Sequence, residues 1–325
     1  MARSFKIGFV SDPIENYNPD AETTLFLMRE AAKRGAMIYQ WEPDKIFLEK
    51  DRLWANVRKL QFTPTLTLPH LRQRRISLWL KGGGNCLRGN DILLLPLDSF
   101  DMIFLRKDPP FDLAYLHHLY LMMRLEGKVL MLNRPSGILQ ANEKLLALDF
   151  PFHPPTCVAS DLETLRRFAQ KAPHGVVLKP LGMAGGVGII HLKKGARLQK
   201  LPHTPTLCQH YIREIQKCGD KRILLFNGKI LGAFARFPKK GEFRANLHQG
   251  GRFVRAQVTA HDKKIVRTVA PALKKLGLYF VGLDIIGPYL TEINVTSPMG
   301  IREINDTQGI RCEEKIFDQL CHLNV

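Results

Sequence analysis

Residues 282–298, GLDIIGPYLTEINVTSP, are two short apolar runs joined at Gly287-Pro288, and they carry Asp284, Glu292 and Asn294 where strand composition would favour valine or isoleucine. Side chains alternate along a strand, so Glu292 and Asn294 share one face while Ile293 and Val295 take the other. Asp284 joins them only in one register. A plain two-residue turn at Gly287-Pro288 sets it across from Thr291, whereas a three-residue connection or a bulge sets it opposite Glu292. Neighbouring carboxylates repel and are costly to desolvate, and a cation between them relieves both penalties. Two carboxylates and an amide oxygen are hard donors. They are too few for an all-protein calcium cage and suit Mg²⁺ completed by phosphate oxygens and water. The plainer alternative is a set of exposed polar positions on a half-buried strand.

Outward from this segment, LKPLGMAGGVG (178–188) lies between the apolar runs of GVVLKPLGMAGGVGIIHLKK and reads as a hairpin with a glycine-rich connection. Glycines let backbone N–H groups approach phosphate oxygens, although the spacing is neither a P-loop nor a dinucleotide fingerprint. Lys179 sits three residues before Gly182 on a strand with apolar flanks, where a lysine needs an anionic partner. DKRILLFNGKILGAFARF is a second hairpin with Asn227-Gly228 as its turn, and DKKIVRTVAPALKKLG is a helix. TLCQHYIREI (206–215) is an apolar and aromatic strand whose edge offers main-chain hydrogen bonds to a purine base; a buried linker fits it equally.

The first third reads FKIGFV as a strand, ETTLFLMREAAKRG as a helix and AMIYQWE as a strand, which is a βαβ unit. FDMIFLRKDPPFD and KVLMLN are further buried strands around the helical LAYLHHLYLMMRLEG. The first 135 residues therefore predict an open, largely parallel sheet, interrupted by a basic, irregular stretch to about residue 90 that contains Gly82-Gly83-Gly84. NEKLLALDF predicts a short helix, and Ser160 with Glu163 a capping box for the helix that follows.

Composition limits the function classes. The 325 residues are 45% hydrophobic and 24% charged, which suits an ordered globular chain. No stretch reaches the roughly 18 apolar residues of a spanning helix, and MARSFKIGFVSD has too short an apolar run for a secretory signal, so a cytoplasmic protein is expected. Six scattered cysteines without a C-x-x-C pair suit reduced thiols. The net charge of +18 concentrates in residues 51–90 and 236–267 and admits nucleic acid, a membrane surface or acidic small molecules as partners. A nucleic-acid-binding protein needs cations interleaved with stacking aromatics. The 51–90 region offers only Trp54, Phe62 and Trp79, so nucleic acid is a distant alternative.

Taken together, LRKDPPFD (105–112), NEKL (142–145), KPLGMAGG (179–186), GDKRILLFNG (219–228), VGLDIIG (281–287) and LTEINVTSP (290–298) resemble the bacterial glutathione synthetases, members of the ATP-grasp ligases. The resemblance runs from residue 6 to about 320. It implies an ATP-grasp fold, α/β and α+β, with an N-terminal pre-ATP-grasp domain (1–138), a small lid subdomain (139–213) and a C-terminal subdomain (214–325). By the same resemblance Lys144 and Lys179 bind nucleotide phosphates under a glycine lid that includes Gly182, Gly185 and Gly186. Gln209, His210, Tyr211 and Ile212 line the adenine pocket, and Asp220 lies beside the nucleotide. Asp284, Glu292 and Asn294 match magnesium positions, with Mn²⁺ as an alternative ion. The implied reaction joins γ-glutamylcysteine to glycine through an acyl phosphate. Arg222, Arg236 and Arg244 are the candidates for charge stabilisation, and Asp12, Arg106 and Ser297 for holding the peptide. A dimer or tetramer without membrane contact is implied. Two places depart from the family pattern: Gly182-Met183-Ala184 stands where an acidic residue and glycine are expected, and Met299-Gly300 where threonine and a small residue are expected. The second lies beside the peptide site, so a ligase for a different carboxylate and amine is the nearest alternative.

Overall fold

The structure is a computed structural model and describes residues 5–64, 78–82, 85–201, 205–238 and 252–320. The chain opens with β1 (Lys6–Ser11), α1 (Thr23–Lys33) and β2 (Met37–Trp41), the expected βαβ unit, in which β1 and β2 pair in parallel. β3 (Ile46–Glu49), β4 (Arg52–Pro64), β5 (Leu78–Gly82), β6 (Asn85–Pro96), β7 (Met102–Arg106), α2 (Leu113–Met122), β8 (Leu130–Leu132) and α3 (Pro135–Gln140) complete this domain. The sheet order is β5-β6-β4-β2-β1-β7-β8, with β3 paired to β4.

The expectation of a largely parallel sheet holds only for β2-β1-β7-β8. β4 pairs antiparallel with β2, β3 and β6, and β5 with β6, so the stretch expected to be irregular contains an antiparallel ribbon. Arg52 and Arg58 do not prevent pairing because each meets a carboxylate: Arg52 reaches Asp98 at 2.8 Å and Arg58 reaches Glu15 at 2.8 Å.

The middle lobe is built from β9 (Thr156–Ala159), α4 (Leu162–Gln170), β10 (Val176–Pro180), β11 (Ile190–Leu192) and β12 (Thr206–His210), an antiparallel sheet in the order β11-β10-β12-β9. The cap of α4 is Asp161 and not Ser160. Its carboxylate accepts from Thr164 N at 2.7 Å, and a charged acceptor at a helix start outcompetes a hydroxyl one residue earlier. This lobe has its own small core of Leu165, Ala172, Val176, Leu178, Leu198 and Cys208.

The last third contains α5 (Ile215–Cys218), β13 (Asp220–Phe226), β14 (Lys229–Phe237), β15 (Arg252–Arg255), α6 (Ala260–Lys275), β16 (Phe280–Ile286), β17 (Tyr289–Asn294), α7 (Ile301–Gln308) and α8 (Cys312–Leu320). Its strands form an antiparallel sheet, β15-β14-β13-β16-β17. Asn227 and Gly228 turn β13 into β14 with φ of 48° and 71°, as an Asn-Gly hairpin turn requires. A reciprocal capping box between Thr259 and Asp262 starts α6.

One apolar cluster runs from Val10, Trp41 and Ile103 of the N-terminal sheet through Ile138, Leu146 and Phe150 to Ile223, Leu283 and Ile293 of the C-terminal sheet. Residues 143–152, expected to belong to the middle lobe, therefore pack with the C-terminal sheet, where Leu290 N donates to Phe152 O at 2.8 Å. Asn133 ties the same junction: its Nδ2 donates to Phe280 O and Val295 O, both at 2.7 Å. The outer domains thus share a core and form the frame against which the separately cored middle lobe is set.

Candidate active site

The register of β16 on β17 decides the centre of the site. Ile286 pairs with Tyr289 and Ile285 with Leu290, after which Asp284 pairs with Glu292, so Thr291 is an extra residue in β17. Of the two arrangements left open by the sequence, the turn stays at two residues and a bulge makes the shift. Thr291 Oγ1 donates to Asp284 O at 3.1 Å across the bulge. Asn294 lies opposite Gly282, and Asp284, Glu292 and Asn294 consequently share one face.

Asp284 is the electrostatic hub. Arg222, its neighbour across β13, engages it through Nε and through Nη2 at 2.8 Å; Arg236 reaches it at 2.9 Å, and Asn294 Nδ2 donates to it at 3.2 Å. Burial alone would raise this carboxyl, but the two guanidiniums outweigh it and hold Asp284 well below the usual carboxylate range. Asp220 pairs with Arg236 at 2.6 Å; burial there prevails over Arg236 and pushes the carboxyl up.

Two lysines face this cluster. Lys144 Nζ lies 3.0 Å from Glu292 Oε1 and also donates to Met183 O in the glycine-rich connection. Lys179 donates to Gln209 Oε1 at 3.1 Å, its diagonal neighbour on β12, and burial lowers its pKa. The connection itself turns through Gly185, Gly186 and Gly188 at φ of 63°, 79° and 71°, a left-handed run that side chains with a Cβ adopt at a cost.

These groups open onto a cavity of about 900 Å³ bounded by all three parts of the chain. Lys144, Lys179, Gly185, Gly186, Gln209, His210, Tyr211, Ile212, Asp220, Arg222, Arg236, Asp284, Glu292, Asn294, Asp12 and Ser297 all line it. Three of its wall atoms, His210 Nε2, Asp220 Oδ1 and Arg236 Nε, are buried without a hydrogen-bond partner. Burial also lowers the pKa of His210, which favours a neutral ring.

Two expected residues fall elsewhere. Arg106 is 2% exposed and is not on the cavity wall: it donates to Thr24 Oγ1 and Pro298 O, both at 3.1 Å, and lies over the Phe280 ring. It supports the backbone that leaves β17, so its effect on a peptide would pass through residues 298–299. Gly182 turns away as well, its carbonyl accepting from Phe111 N at 2.8 Å. Arg244 lies outside the described residues. Gly300 explains part of the unusual Met299-Gly300 pair: its φ is 135°, and a Cβ there would sit 2.6 Å from Phe234. Met299 O meanwhile accepts from Arg222 Nη1 at 3.1 Å.

Tyr17, Glu22, Asp108, Arg302 and Glu303 also line the cavity, and sequence reasoning did not select them. Glu22 reads as an ordinary helix cap, since its carboxylate accepts from Thr24 N at 3.1 Å. Nothing local distinguishes it from a solvated cap, and only the fold brings it to the wall.

The donor set fits a hard divalent cation. Asp284 and Glu292 offer charged oxygens from opposed positions and Asn294 an amide oxygen. No helix among the described residues is long and apolar enough to cross a membrane.

Known proteins resemble the chain over most of its length. Residues 5–138 match the family model for the prokaryotic glutathione synthetase N-terminal domain, and residues 143–309 match that for the prokaryotic glutathione synthetase ATP-grasp domain. The glutathione synthetase of Thermosynechococcus vestitus is 38% identical over 321 residues, covering 96% of this chain and 98% of that protein. That of Synechococcus elongatus is 38% identical over 315 residues, 94% of each. Among solved structures, the ATP-grasp ligase PsnB, complexed with a phosphomimetic variant of its minimal precursor, Mg and ADP, superposes with a TM-score of 0.60 at 15% identity over 98% of both chains, a likeness of fold.

Proposed function

The chain belongs to the prokaryotic glutathione synthetase family and has the ATP-grasp fold; it is an ATP-dependent ligase that forms glutathione, and we propose the following roles for its residues. Lys144 and Lys179 bind the phosphates of ATP beneath the glycine-rich connection. Gln209, His210, Tyr211 and Ile212 line the adenine pocket, the His210 ring itself packing against Phe168 of α4. The carboxylate of γ-glutamylcysteine attacks the γ-phosphorus, giving an acyl phosphate and ADP. The amine of glycine then attacks the acyl carbon, the C–O bond to phosphate breaks, and the amine proton leaves to solvent. No side chain acts as a nucleophile.

The chain's contribution is orientation and charge. Arg222 and Arg236, already oriented by Asp284 and Asp220, face the charge that develops on the transferred phosphoryl group; Arg244 belongs to the same proposal. Asp284, Glu292 and Asn294 would hold Mg²⁺ or Mn²⁺, which when bound neutralises phosphate oxygens during transfer. Asp12 and Ser297 hold the peptide, with Arg106 acting behind them. The same reading makes the enzyme a cytoplasmic homo-oligomer, a dimer or tetramer, that acts on ATP, γ-glutamylcysteine and glycine.

The observation that carries this reading is the Thr291 bulge, because it sets Asp284 opposite Glu292, the carboxylate that Lys144 meets at 3.0 Å. The test is ADP release with ATP, Mg²⁺, γ-glutamylcysteine and glycine, each left out in turn. Full release should require all four. Release with another peptide or amine but not with these would reassign the substrates. Glu292→Ala should abolish turnover and leave the circular dichroism spectrum unchanged; undiminished turnover at saturating Mg²⁺ would remove Glu292 from the metal site.

A further inference from the structure

Asn142, Glu143 and Lys144 are consecutive, and their side chains divide between the glycine-rich connection and the β17 segment, with Lys144 touching both. Asn142 Nδ2 donates to Leu181 O at 3.2 Å, where the glycine-rich connection begins. Lys144 bridges Glu292 and Met183 O. Glu143 turns the other way, into the C-terminal body, and is 8% exposed. One of its oxygens, Oε1, accepts from Val295 N at 2.8 Å, Thr296 N at 3.0 Å and Thr296 Oγ1 at 2.8 Å. Its own carbonyl accepts from Ile293 N at 2.8 Å.

A carboxyl group buried this far is costly unless its acceptors are filled, and a connection between α3 and the middle lobe has no need of one. Here the filled oxygen gathers the backbone immediately after Asn294, and the carbonyl takes the amide between Glu292 and Asn294. The turn that carries Lys144 is thereby bonded at four points to the strand that carries Glu292 and Asn294. A lysine has a long, flexible stem, so its ammonium stays beside one carboxylate only where its backbone is fixed relative to that carboxylate.

We propose that Glu143 is a positioning residue for the ligation: it fixes Lys144 against Glu292 and so sets the distance between a phosphate-binding cation and the metal-binding strand. The proposal rests on the placement of Lys144 and Glu292 in the nucleotide site. Glu143 itself touches neither nucleotide nor metal.

The test measures ADP binding in the presence of Mg²⁺ by titration calorimetry, together with KM for ATP and kcat, on the full chain carrying Glu143→Ala, Glu143→Gln, Glu143→Asp or Lys144→Ala. Circular dichroism and urea unfolding monitor the fold. Lys144→Ala should weaken ADP. Glu143→Ala should weaken ADP by about 10–100-fold, the usual effect of removing a group that orients a ligand contact, and raise KM for ATP more than it lowers kcat. Glu143→Gln keeps an acceptor oxygen and should restore most of the affinity. A Glu143→Ala variant with a lower unfolding midpoint but wild-type ADP affinity would show a merely structural residue and overturn the proposal. Should Glu143→Ala not fold, Glu143→Asp decides: one methylene shorter, it withdraws the oxygen, and wild-type ADP affinity in that variant refutes the proposal while a loss supports it. If Lys144→Ala binds ADP normally, the nucleotide-site assignment fails and the proposal with it. If Lys144→Ala is weakened and Glu143→Ala is not, the proposal alone fails.

Discussion

Asp284→Asn removes the charge from the hub of the site while preserving its shape. Asp284 is 4% exposed, and its two guanidinium partners, Arg222 and Arg236, are 6% and 9% exposed. Asparagine retains one oxygen but turns an NH₂ group toward a donor. Arg236 keeps Asp220 at 2.6 Å, whereas Arg222 is left with Met299 O at 3.1 Å. Removing one partner of a buried ion pair costs about 3–5 kcal/mol, because the charge left behind is desolvated and uncompensated. With Asp220 still present to serve one arginine, the lower end applies, about 3 kcal/mol. The pH dependence has a definite sign. The folded pKa of Asp284 is depressed, so its contribution is present above the unfolded carboxylate value, near 4, and is lost as pH falls through the lower folded value. The gap between wild type and variant should therefore be present at pH 8, above the range in which the raised Asp220 titrates, and close only in stronger acid. Urea unfolding followed by circular dichroism measures it, and the midpoint should fall by about 1–1.5 M at a slope of roughly 2–3 kcal/mol/M. A variant within about 1 kcal/mol of wild type at pH 8 would mean that the arginines are solvated, and the reasoning from burial would be wrong.

His118 on α2 is 4% exposed, and burial, with Lys107 adding repulsion, outweighs the backbone contact at Pro43 and pushes its pKa down to about 4. Its folded value lies below the unfolded 6.5, so stability present above pH 6.5 drains away as pH falls toward 4, by up to about 3 kcal/mol. His118→Leu should flatten the profile of unfolding midpoint against pH in that window, and a profile parallel to wild type would show the ring to be accessible to water. Gly300→Ala places a Cβ 2.6 Å from Phe234 at φ of 135°, which should cost about 1–3 kcal/mol or more and displace Met299 O from Arg222. Unfolding midpoint and KM for the peptide measure both effects, and an unchanged KM would separate residue 299 from the peptide site.

The elements that sequence reasoning found are those whose signal is local. The βαβ opening, the glycine-rich hairpin and the Asn227-Gly228 turn each follow from a run of a few residues whose periodicity or φ demand has a single solution. The β4–β6 ribbon escaped because its pairing is long-range and its cations resemble a solvated loop; what lets Arg52 and Arg58 sit on strands is Asp98 and Glu15, 46 and 43 residues away. Arg106 escaped for a related reason. Within LRKDPPFD it is one cation among charged neighbours, and nothing nearby signals that its guanidinium will be enclosed by Thr24 and Pro298.

The site shows the same division, and it also bears on the charge of +18. Asp284, Glu292 and Asn294 were legible because donor chemistry and strand period can be read along one segment, while their alignment depends on a bulge that the sequence permits without requiring. Among the described residues, the excess charge, by contrast, is not concentrated at the end of the cavity proposed to take the nucleotide. There Lys144, Lys179, Arg222 and Arg236 face Asp220, Asp284 and Glu292, four cations against three carboxylates. Arg222, Arg236 and Lys144 are already paired, and Lys179 bonds a neutral amide. Among the described residues, a set so nearly neutral does not hold a triphosphate by excess charge alone. It can do so by exchanging partners, with phosphate oxygens taking Lys144 and the arginines while a divalent cation takes the carboxylates they release. Internal pairing of this kind keeps the cationic groups oriented before substrate arrives, which is the preorganisation that charge-based catalysis needs. It also makes nucleotide affinity depend on the divalent ion far more steeply than the bulk charge of the chain would suggest.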